Sequence, residues 1–465
     1  MPAEKNARPT ERVSAYVCVL FAIVVVGTGL GGMTQTALNT VAAVVLADLG
    51  ADIGWGQWLT TLYIFSMGAA VPLASFLQRK FSIRSLMLIA YGLYLVGSLC
   101  DFMAMTFPML IIGRVLEAVG TGILMPLLQT IAMTRFPEGR HGTAMGFAGI
   151  SLGFAPNIGP TIGGFLCDAL GWRFMFLILV ATSAILLALT LFVVRDREAV
   201  DSHATLDWLS LVLSTFGMGG LLLGFTAAAN MSVLEPLVWL PLVIGVACII
   251  LFLKRQGKLA RPLIDLRIFA HAHYRVSLLT QCLLYACFVG MTLIIPLTLI
   301  DGAGHTALEA GIVLFPGAFA ALIFEPAAGM ATDRFGARKV AIFGGIMLAL
   351  GAMLIAFVPL DAPLWIPALL QTLRCIGLTS LIPTTTAYGL GSLANEGITP
   401  DGSATLIMSR QCSASLATAV MVFLITMAAT LDMPLMGYHW ALGFSGVMGV
   451  LTLACCLAFI GRKHG

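Results

Sequence analysis

Long apolar runs separated by short polar turns make up nearly the whole chain. Each run has about 20 residues, the length at which a helix crosses the ~30 Å hydrocarbon core of a bilayer. The pattern predicts fourteen such helices, at 14–38, 56–77, 85–104, 108–132, 143–167, 173–194, 207–228, 236–254, 276–300, 309–330, 340–358, 364–389, 402–428 and 439–461. We therefore expect an all-α integral membrane protein.

The composition excludes several other classes of protein. Of the 465 residues, 59% are hydrophobic and 10% are charged, whereas a soluble domain has about 25% charged residues. The net charge of +3 is small and dispersed, so no nucleic-acid partner is predicted. The ten cysteines include no C-x-x-C pair, and the seven histidines lie in loops or at helix ends. We expect no metal site, no cofactor and no enzyme activity.

The charged residues predict the orientation in the membrane. If residue 1 lies inside, 21 of the 25 Lys and Arg residues fall in inner segments, and the outer segments hold one base, Arg173, with eight acids that include Asp101. This bias follows the positive-inside rule and predicts that both termini are cytoplasmic. Residues 1–13 are polar and have no cleavage site after them, so we expect a cytoplasmic segment and not a signal peptide.

A repeat of spacing divides the chain into two halves. Arg114, Glu117, Gly120 and Pro126 on the fourth helix have the same spacing as Gln371, Arg374, Gly377 and Pro383 on the twelfth. The repeat predicts an N-terminal bundle of six helices at 14–194 and a C-terminal bundle of six at 276–461, with two inserted helices within 195–275. Duplicated halves around a central cavity are typical of transporters.

Three arginines lie inside predicted spans and mark a polar interior. A charge within a span costs at least ~2.5 kcal/mol unless it faces a partner or a water-filled cavity. Because few acids accompany Arg114, Arg374 and Arg410, such a cavity favours anionic or zwitterionic cargo. We expect the cavity to be lined by Arg374 and Arg410 together with Thr34, Asn39, Tyr63, Gln281, Tyr285, Phe315 and Gln371.

Two motifs carry a resemblance to a known family. The segment GMATDRFGARK, with Gly329, Asp333, Arg334, Gly336 and Arg338, resembles the inner-loop signature of the major facilitator superfamily, in which the acid caps a helix or pairs with nearby bases. Gly159 and Pro160 lie in a string that resembles the Gly-Pro helix of its proton-driven exporters. After the second helix, Ser75, Arg79 and Ser82 occupy the Gly, Asp and Gly positions, so we expect this first-half turn to be degenerate.

Three further segments carry a closer resemblance: LDWLSLVLSTFGMGGLLLGF, RPLIDLRIF and GSATLIMSRQCSASLATAV. Together they resemble the fourteen-helix drug:proton antiporters of the EmrB/QacA type. The resemblance implies proton-coupled efflux of amphipathic small molecules by alternating access in a bacterial inner membrane. The acid that this branch usually has on the first helix is replaced here by Thr34.

Glu117 is therefore predicted to couple transport to protons, one helical turn from Arg114. A permanently ionised structural pair is the alternative. Glu325 is predicted to act in gating near the inner surface. The rival function is export or uniport of an organic anion or lipid-like metabolite without protons.

Overall fold

Every regular element is helical in the computed structural model, which describes residues 13–51, 56–196, 206–228, 235–259 and 261–460 apart from a few side chains. This confirms the predicted all-α class. The helices are α1 (Ala15–Asp48), α2 (Gly56–Lys80), α3 (Ile83–Phe102), α4 (Phe107–Thr134), α5 (His141–Gly149), α6 (Ala155–Leu170), α7 (Trp172–Val193), α8 (Trp208–Ala228), α9 (Pro236–Gln256), α10 (Ala272–Leu297), α11 (Ala307–Phe335), α12 (Ala337–Ile355), α13 (Trp365–Gly391), α14 (Thr399–Thr430) and α15 (Pro434–Phe459).

Fourteen segments are long enough to span a membrane. Thirteen are helices of sufficient length and hydropathy within the described residues. The fourteenth consists of α5 and α6, which are continuous through a π-helical turn at Ile150–Phe154. Pro156 explains the widened turn, because proline has no N–H and its ring crowds the carbonyl four residues earlier, at Leu152.

α1 is longer than its apolar window predicts, since it continues to Asp48 instead of ending near residue 38. The hydroxyl of Thr34 donates to the carbonyl of Gly31 at 3.1 Å, and that of Thr36 donates to the carbonyl of Met33 at 3.1 Å. These polar residues are satisfied within the helix and do not end it. Thr36 also donates to the Pro156 carbonyl at 2.7 Å, which joins α1 to α6.

The helices pack in two groups and an inserted pair. α1 to α7 pack on one another, as do α10 to α15, while α8 packs on α9, α2 and α14. An ion pair of 2.8 Å between Arg255 and Asp207 joins the ends of α8 and α9, and hydrogen bonds from Arg255 lower the pKa of Asp207 to about 2. The predicted limits of the bundles stay predictions, and residues 1–12 and 461–465, which hold the predicted cytoplasmic termini, lie outside the described residues.

We call the side of the membrane at which α2, α4, α11 and α13 end the inner face, following the predicted orientation. The opposite, outer ends of α1 and α7 are joined by one acid. Asp48 accepts hydrogen bonds from Arg173 at 2.5 Å and from the Trp172 indole at 3.1 Å. These two donors hold the pKa of Asp48 below its usual range. The base Arg173 and the acid Asp48 thus share a role in packing at the outer face.

Substituting glycine on α6 tests the close packing of α6 on α1. A Cβ at Gly159 would overlap the Thr36 hydroxyl and the Met33 carbonyl, whereas a Cβ at Gly164 would meet Thr40 at an ordinary 3.7 Å. We expect Gly159→Ala to lower the free energy of unfolding by about 1–3 kcal/mol. The melting temperature in detergent measures this, with Gly164→Ala as the matched control. Equal melting temperatures for the two variants would contradict the packing argument.

Candidate functional site

A charged pair lies inside the N-terminal group of helices, on α4. Arg114 is 1% exposed, and its Nη1 lies 2.8 Å from Oε2 of Glu117, which is fully buried one turn further along the helix. Ser98 on α3 donates to the other carboxylate oxygen at 2.8 Å. Both oxygens of Glu117 therefore have partners within the same bundle.

Three further side chains complete this cluster, which we call the N-bundle cluster: Thr34, Tyr63, Ser98, Arg114, Glu117 and Thr121. The Arg114 guanidinium lies 4.3 Å from the ring centre of Tyr63, and its Nη2 donates to the Thr34 carbonyl at 3.3 Å. Tyr63 shares a 2.7 Å hydrogen bond with Thr121. Four of the predicted residues thus lie together. Asn39 is also on α1, but its side chain lies outside the described residues.

Asp101 was not singled out for a function by the sequence, which placed it among the acids of the outer loops. It is fully buried near the outer end of α3, and among the residues that the structure describes neither of its oxygens has a hydrogen-bond partner. Its carboxylate lies against Gly113, close enough to interact with the charges of Arg114 and Glu117. The sequence could have pointed to Asp101 through its spacing, because it follows Ser98 by three residues and therefore lies on the same face of α3.

A second cluster lies inside the C-terminal group and uses a different partner for its arginine. Arg374 on α13 is fully buried, and its Nε donates to Oε1 of Gln371 at 2.8 Å. The guanidinium lies 5.5 Å from the ring centre of Phe288 on α10. Within the described part of the chain, Nη1 and Nη2 of Arg374 have no hydrogen-bond partner.

Arg410 on α14 completes the C-bundle cluster, which we define as Tyr285, Phe288, Gln371, Arg374 and Arg410. Arg410 is 4% exposed, and its guanidinium lies 4.8 Å from the ring centre of Tyr285. The rings of Tyr285 and Phe288 are 6.3 Å apart, which connects the two arginines through aromatic contacts. The Arg410 Nη1 has no partner among the described residues.

Two further predicted cavity residues lie apart from the clusters. Gln281 is buried between α10 and α13, where its amide donates to the hydroxyls of Thr385 and Thr386, each at 2.8 Å. It joins two helices of one bundle. Phe315 is 66% exposed on an apolar stripe along α11 that also contains Ile312, Phe319, Ile323 and Met330. Its place in the cavity stays a prediction.

The two clusters correspond in position but differ in charge. The spacing repeat places Gln371 where the N-terminal half has Arg114, and Arg374 where it has Glu117. An ion pair in one half is therefore matched by an arginine and an amide in the other. Gln371 satisfies one donor of Arg374 but supplies no negative charge.

Glu325 lies between the two groups of helices and is fully buried. Its carboxylate contacts Gly149 and Gly153, at the end of α5 and in the π turn, and its backbone carbonyl contacts Gly146. Neither carboxylate oxygen has a hydrogen-bond partner in the described segments. The residue is thus at a contact between bundles, but deeper than the inner surface where the sequence placed it.

Asp333 joins the two groups at the inner face. Its carboxylate accepts hydrogen bonds from the backbone N–H groups of Gly142 and Thr143 at 2.8 and 2.7 Å and from the Thr143 hydroxyl at 2.5 Å. It therefore caps the first turn of α5 from the end of α11, where negative charge is favourable. Gly329, four residues earlier, packs against the backbone of Gly142.

The bases beside Asp333 do not pair with it. Arg334 and Arg338 are exposed, and neither forms an ion pair with a described residue. Gly336 has a φ of +85° and makes the turn from α11 to α12, which directs these bases to solvent. Asp333 was expected to cap a helix or to pair with nearby bases. In the structure it caps α5.

The first-half turn, although its motif is degenerate, also contacts the opposite group. Its acid comes from the other side of the contact. Asp401, 1% exposed at the start of α14, accepts a hydrogen bond from Ser75 and lies 3.5 Å from Nη2 of Arg79. Arg79 occupies the position that corresponds to Asp333, so the sign of the charge is exchanged between the two sides of the contact.

A cavity of about 330 Å³ lies elsewhere, between α11, α12 and α13. It is almost wholly apolar and does not include the charged residues of either cluster. Its lining consists of Phe324, Ala327, Ala328, Ala331, Phe335, Lys339, Val340, Phe343 and Ser380.

Comparison with known proteins agrees with this architecture. The family model of the Major Facilitator Superfamily matches residues 24–392. This chain belongs to the major facilitator superfamily. Among curated members, it is 32% identical to the uncharacterized MFS-type transporter YcnB of Bacillus subtilis strain 168, over 95% of this chain and 93% of that protein.

Two other members of the superfamily are similar over most of the chain. The lincomycin resistance protein LmrB of Listeria monocytogenes is 29% identical, over 84% of this chain and 83% of that protein. A structure of the proton:xylose symporter XylE superposes with a TM-score of 0.64 at 13% identity, covering 95% of each chain. The likeness to XylE concerns the fold. The two clusters therefore lie inside a transporter of this superfamily.

Removing the charge of Glu117 tests whether the N-bundle pair is structural. We expect Glu117→Gln to lower the free energy of unfolding by about 3–5 kcal/mol, because Arg114 would remain buried without a countercharge. Thermal unfolding measures this, and Glu138→Gln, at an exposed carboxylate between α4 and α5, is the control. Near-wild-type stability together with loss of pH-dependent transport would instead assign the coupled proton to Glu117.

Replacing Asp333 tests the inner contact of this superfamily member. Asp333→Asn loses at least one of the three hydrogen bonds to α5, and a helix cap contributes about 1–2 kcal/mol. We expect the equilibrium between closed and open inner faces to shift about 5- to 30-fold and transport to fall, with expression and substrate binding nearly unchanged. Asp361→Asn, in an exposed turn, is the control. Equal losses of binding and transport would contradict this role.

Proposed function

We propose that this protein exports amphipathic small molecules from the bacterial cytoplasm by alternating access, driven by protons that move inward. The observation that carries the proposal is the arrangement of two buried charged clusters, one in each bundle, with the contacts between bundles concentrated at the inner face. The protein then lies in the inner membrane with both termini cytoplasmic. The name of LmrB, a lincomycin resistance protein, supports drug-like cargo.

The inner contacts define the step that admits cargo. Asp333 holds α11 against α5, and Asp401 holds α14 against α2. Both contacts consist of a few charge-assisted hydrogen bonds, which water can replace when the bundles part. Gly142, Gly146 and Gly329 lie in the same interface without side chains to interlock, so the two surfaces can separate and return. Cargo enters from the inside when these contacts break.

The clusters supply the recognition. Each places a guanidinium on an aromatic ring, Arg114 on Tyr63 and Arg410 on Tyr285, which presents both charge and apolar surface. An amphipathic molecule needs both kinds of contact. Protons are the proposed driving ion because acids that could carry one, Glu117, Asp101 and Glu325, are buried within the helices.

Export of an organic anion without proton coupling is a second candidate, and one observation favours it. Arg114 has a carboxylate partner, but Arg374 and Arg410 keep guanidinium nitrogens without a hydrogen-bond partner among the described residues. A carboxylate or phosphate on the cargo would supply the missing charge. The membrane potential alone would drive such an anion outward, by about 2.3 kcal/mol per charge per 100 mV.

Transport into proteoliposomes separates the two candidates. Lincomycin and a fluorescent organic anion serve as probes, with a pH gradient and a potassium diffusion potential imposed in separate experiments. Proton-coupled efflux predicts lincomycin movement that follows the pH gradient and stops with a protonophore. Movement of the anion with the potential, unaffected by the pH gradient, would favour the second candidate. Empty liposomes and Arg374→Gln protein are the controls.

A further inference from the structure

We infer that Glu325 binds a proton during the transport cycle, and that the inner face closes fully only when this proton neutralises it. This inference rests on the alternating access of the proposed function and adds to it a titratable contact between the bundles.

The geometry places Glu325 at the moving contact. Its side chain projects from α11 of the C-terminal group against Gly149 and Gly153 of the N-terminal group, and it is fully buried there. A Cβ at Gly153 would overlap the carboxylate, and one at Gly149 would press against it at 3.0 Å, so the missing side chains leave room for the carboxyl group. The carboxyl group is therefore enclosed by residues of both bundles.

The groups that surround the carboxylate do not neutralise it. Tyr285 on α10 and Cys375 on α13 lie within electrostatic range of Glu325, and Arg374 is beside Cys375. Further away are His141 on α5, Asp333 and Glu309 on α11, and Lys339 on α12. None of these described groups is within hydrogen-bonding distance of the Glu325 oxygens.

An ionised carboxylate in this position would have neither water nor a partner. Such burial is strongly unfavourable, whereas the protonated acid carries no charge and is tolerated. When the bundles separate at the inner face, the glycine surface withdraws and water can reach the carboxylate, which makes the ionised form acceptable. Proton binding is thus linked to closure of the inner face, and proton release to its opening.

Glu117 has no such link. Both of its oxygens are bonded by Ser98 and Arg114, which belong to the same bundle and move with it. Its environment is preserved when the bundles rock, so its protonation changes little between the two states. A residue between the bundles is required for linkage, and Glu325 meets that requirement.

Hydrogen–deuterium exchange tests this inference without cargo. The N–H groups of Gly142 and Thr143 donate to Asp333 only when the inner face is closed, so their protection reports closure. For wild-type protein in nanodiscs, corrected for intrinsic exchange rates, we expect this protection to fall with rising pH, by up to about tenfold per pH unit for one linked proton. Glu325→Gln should keep the segment protected at every pH, and Glu325→Asp should restore the dependence.

Two controls isolate the effect from other titrating groups. Glu309→Gln removes another carboxyl group from α11, and His141→Gln removes the imidazole that directly precedes the reporting amides in the chain; both should retain the wild-type pH dependence. Size-exclusion chromatography and melting temperature establish that each variant is folded. Should Glu325→Gln be unfolded, Glu325→Asp alone carries the test, since its shorter side chain should move the midpoint of the transition.

The outcomes separate this inference from the proposed function. A folded Glu325→Gln protein with the wild-type pH dependence of protection overturns the inference, even if transport follows a pH gradient. Closure that depends on Glu325, combined with transport that ignores the pH gradient, overturns proton-driven export and leaves the linkage in place.

Discussion

The whole arrangement depends on the cost of removing charge from water. In a chain with 10% charged residues, a few charges are nevertheless buried among apolar helices, and each must be neutralised or held by hydrogen bonds. Arg114 meets this requirement within one bundle through Glu117. Arg374 meets it only in part through Gln371, and Glu325 has no partner among the described residues. Where a buried charge lacks such compensation, as at Arg374 and Glu325, an anion or a proton would supply it.

The carboxylates at the contacts between the bundles, on the inner face, are also held by hydrogen bonds or a countercharge. Asp333 uses the backbone N–H groups of α5 as its partner, so this contact needs no basic side chain. Asp401 uses a hydroxyl and the more distant Arg79. The duplicated halves therefore preserve a carboxylate at each contact, although one is on α11 and the other on α14. Both contacts therefore join the two bundles through a carboxylate, although the acid has a different position in each half of the sequence.

The sequence predicted the helices well because a spanning segment has a simple apolar signature. It failed at polar residues whose partners the spacing does not show. The end of α1 was misplaced because the hydroxyls of Thr34 and Thr36 bond to their own helix. Asp101 was counted with the outer acids because the sequence does not show its buried contact with Gly113 on α4, and the role of Asp401 could not be found without α2. Lipid-facing and cavity-facing aromatic residues share one helical spacing and differ only in what packs beside them, so the spacing alone does not assign a residue such as Phe315 to either face.

The inserted helices α8 and α9 make the two seams between the bundles different from each other. Gly219 of α8 contacts the ring of Phe65 on α2, and Leu222 of α8 packs near Gly68, so α8 covers the seam between α2 and α14. The seam between α5 and α11 has no inserted helix packed on it in the described part of the chain. A lipophilic molecule dissolved in the inner leaflet would therefore find the seam between α2 and α14 covered by α8. At the seam between α5 and α11 it would contact the two bundles directly. Lateral entry from the bilayer, if the bundles part as we propose, is confined to the flank that carries Glu325.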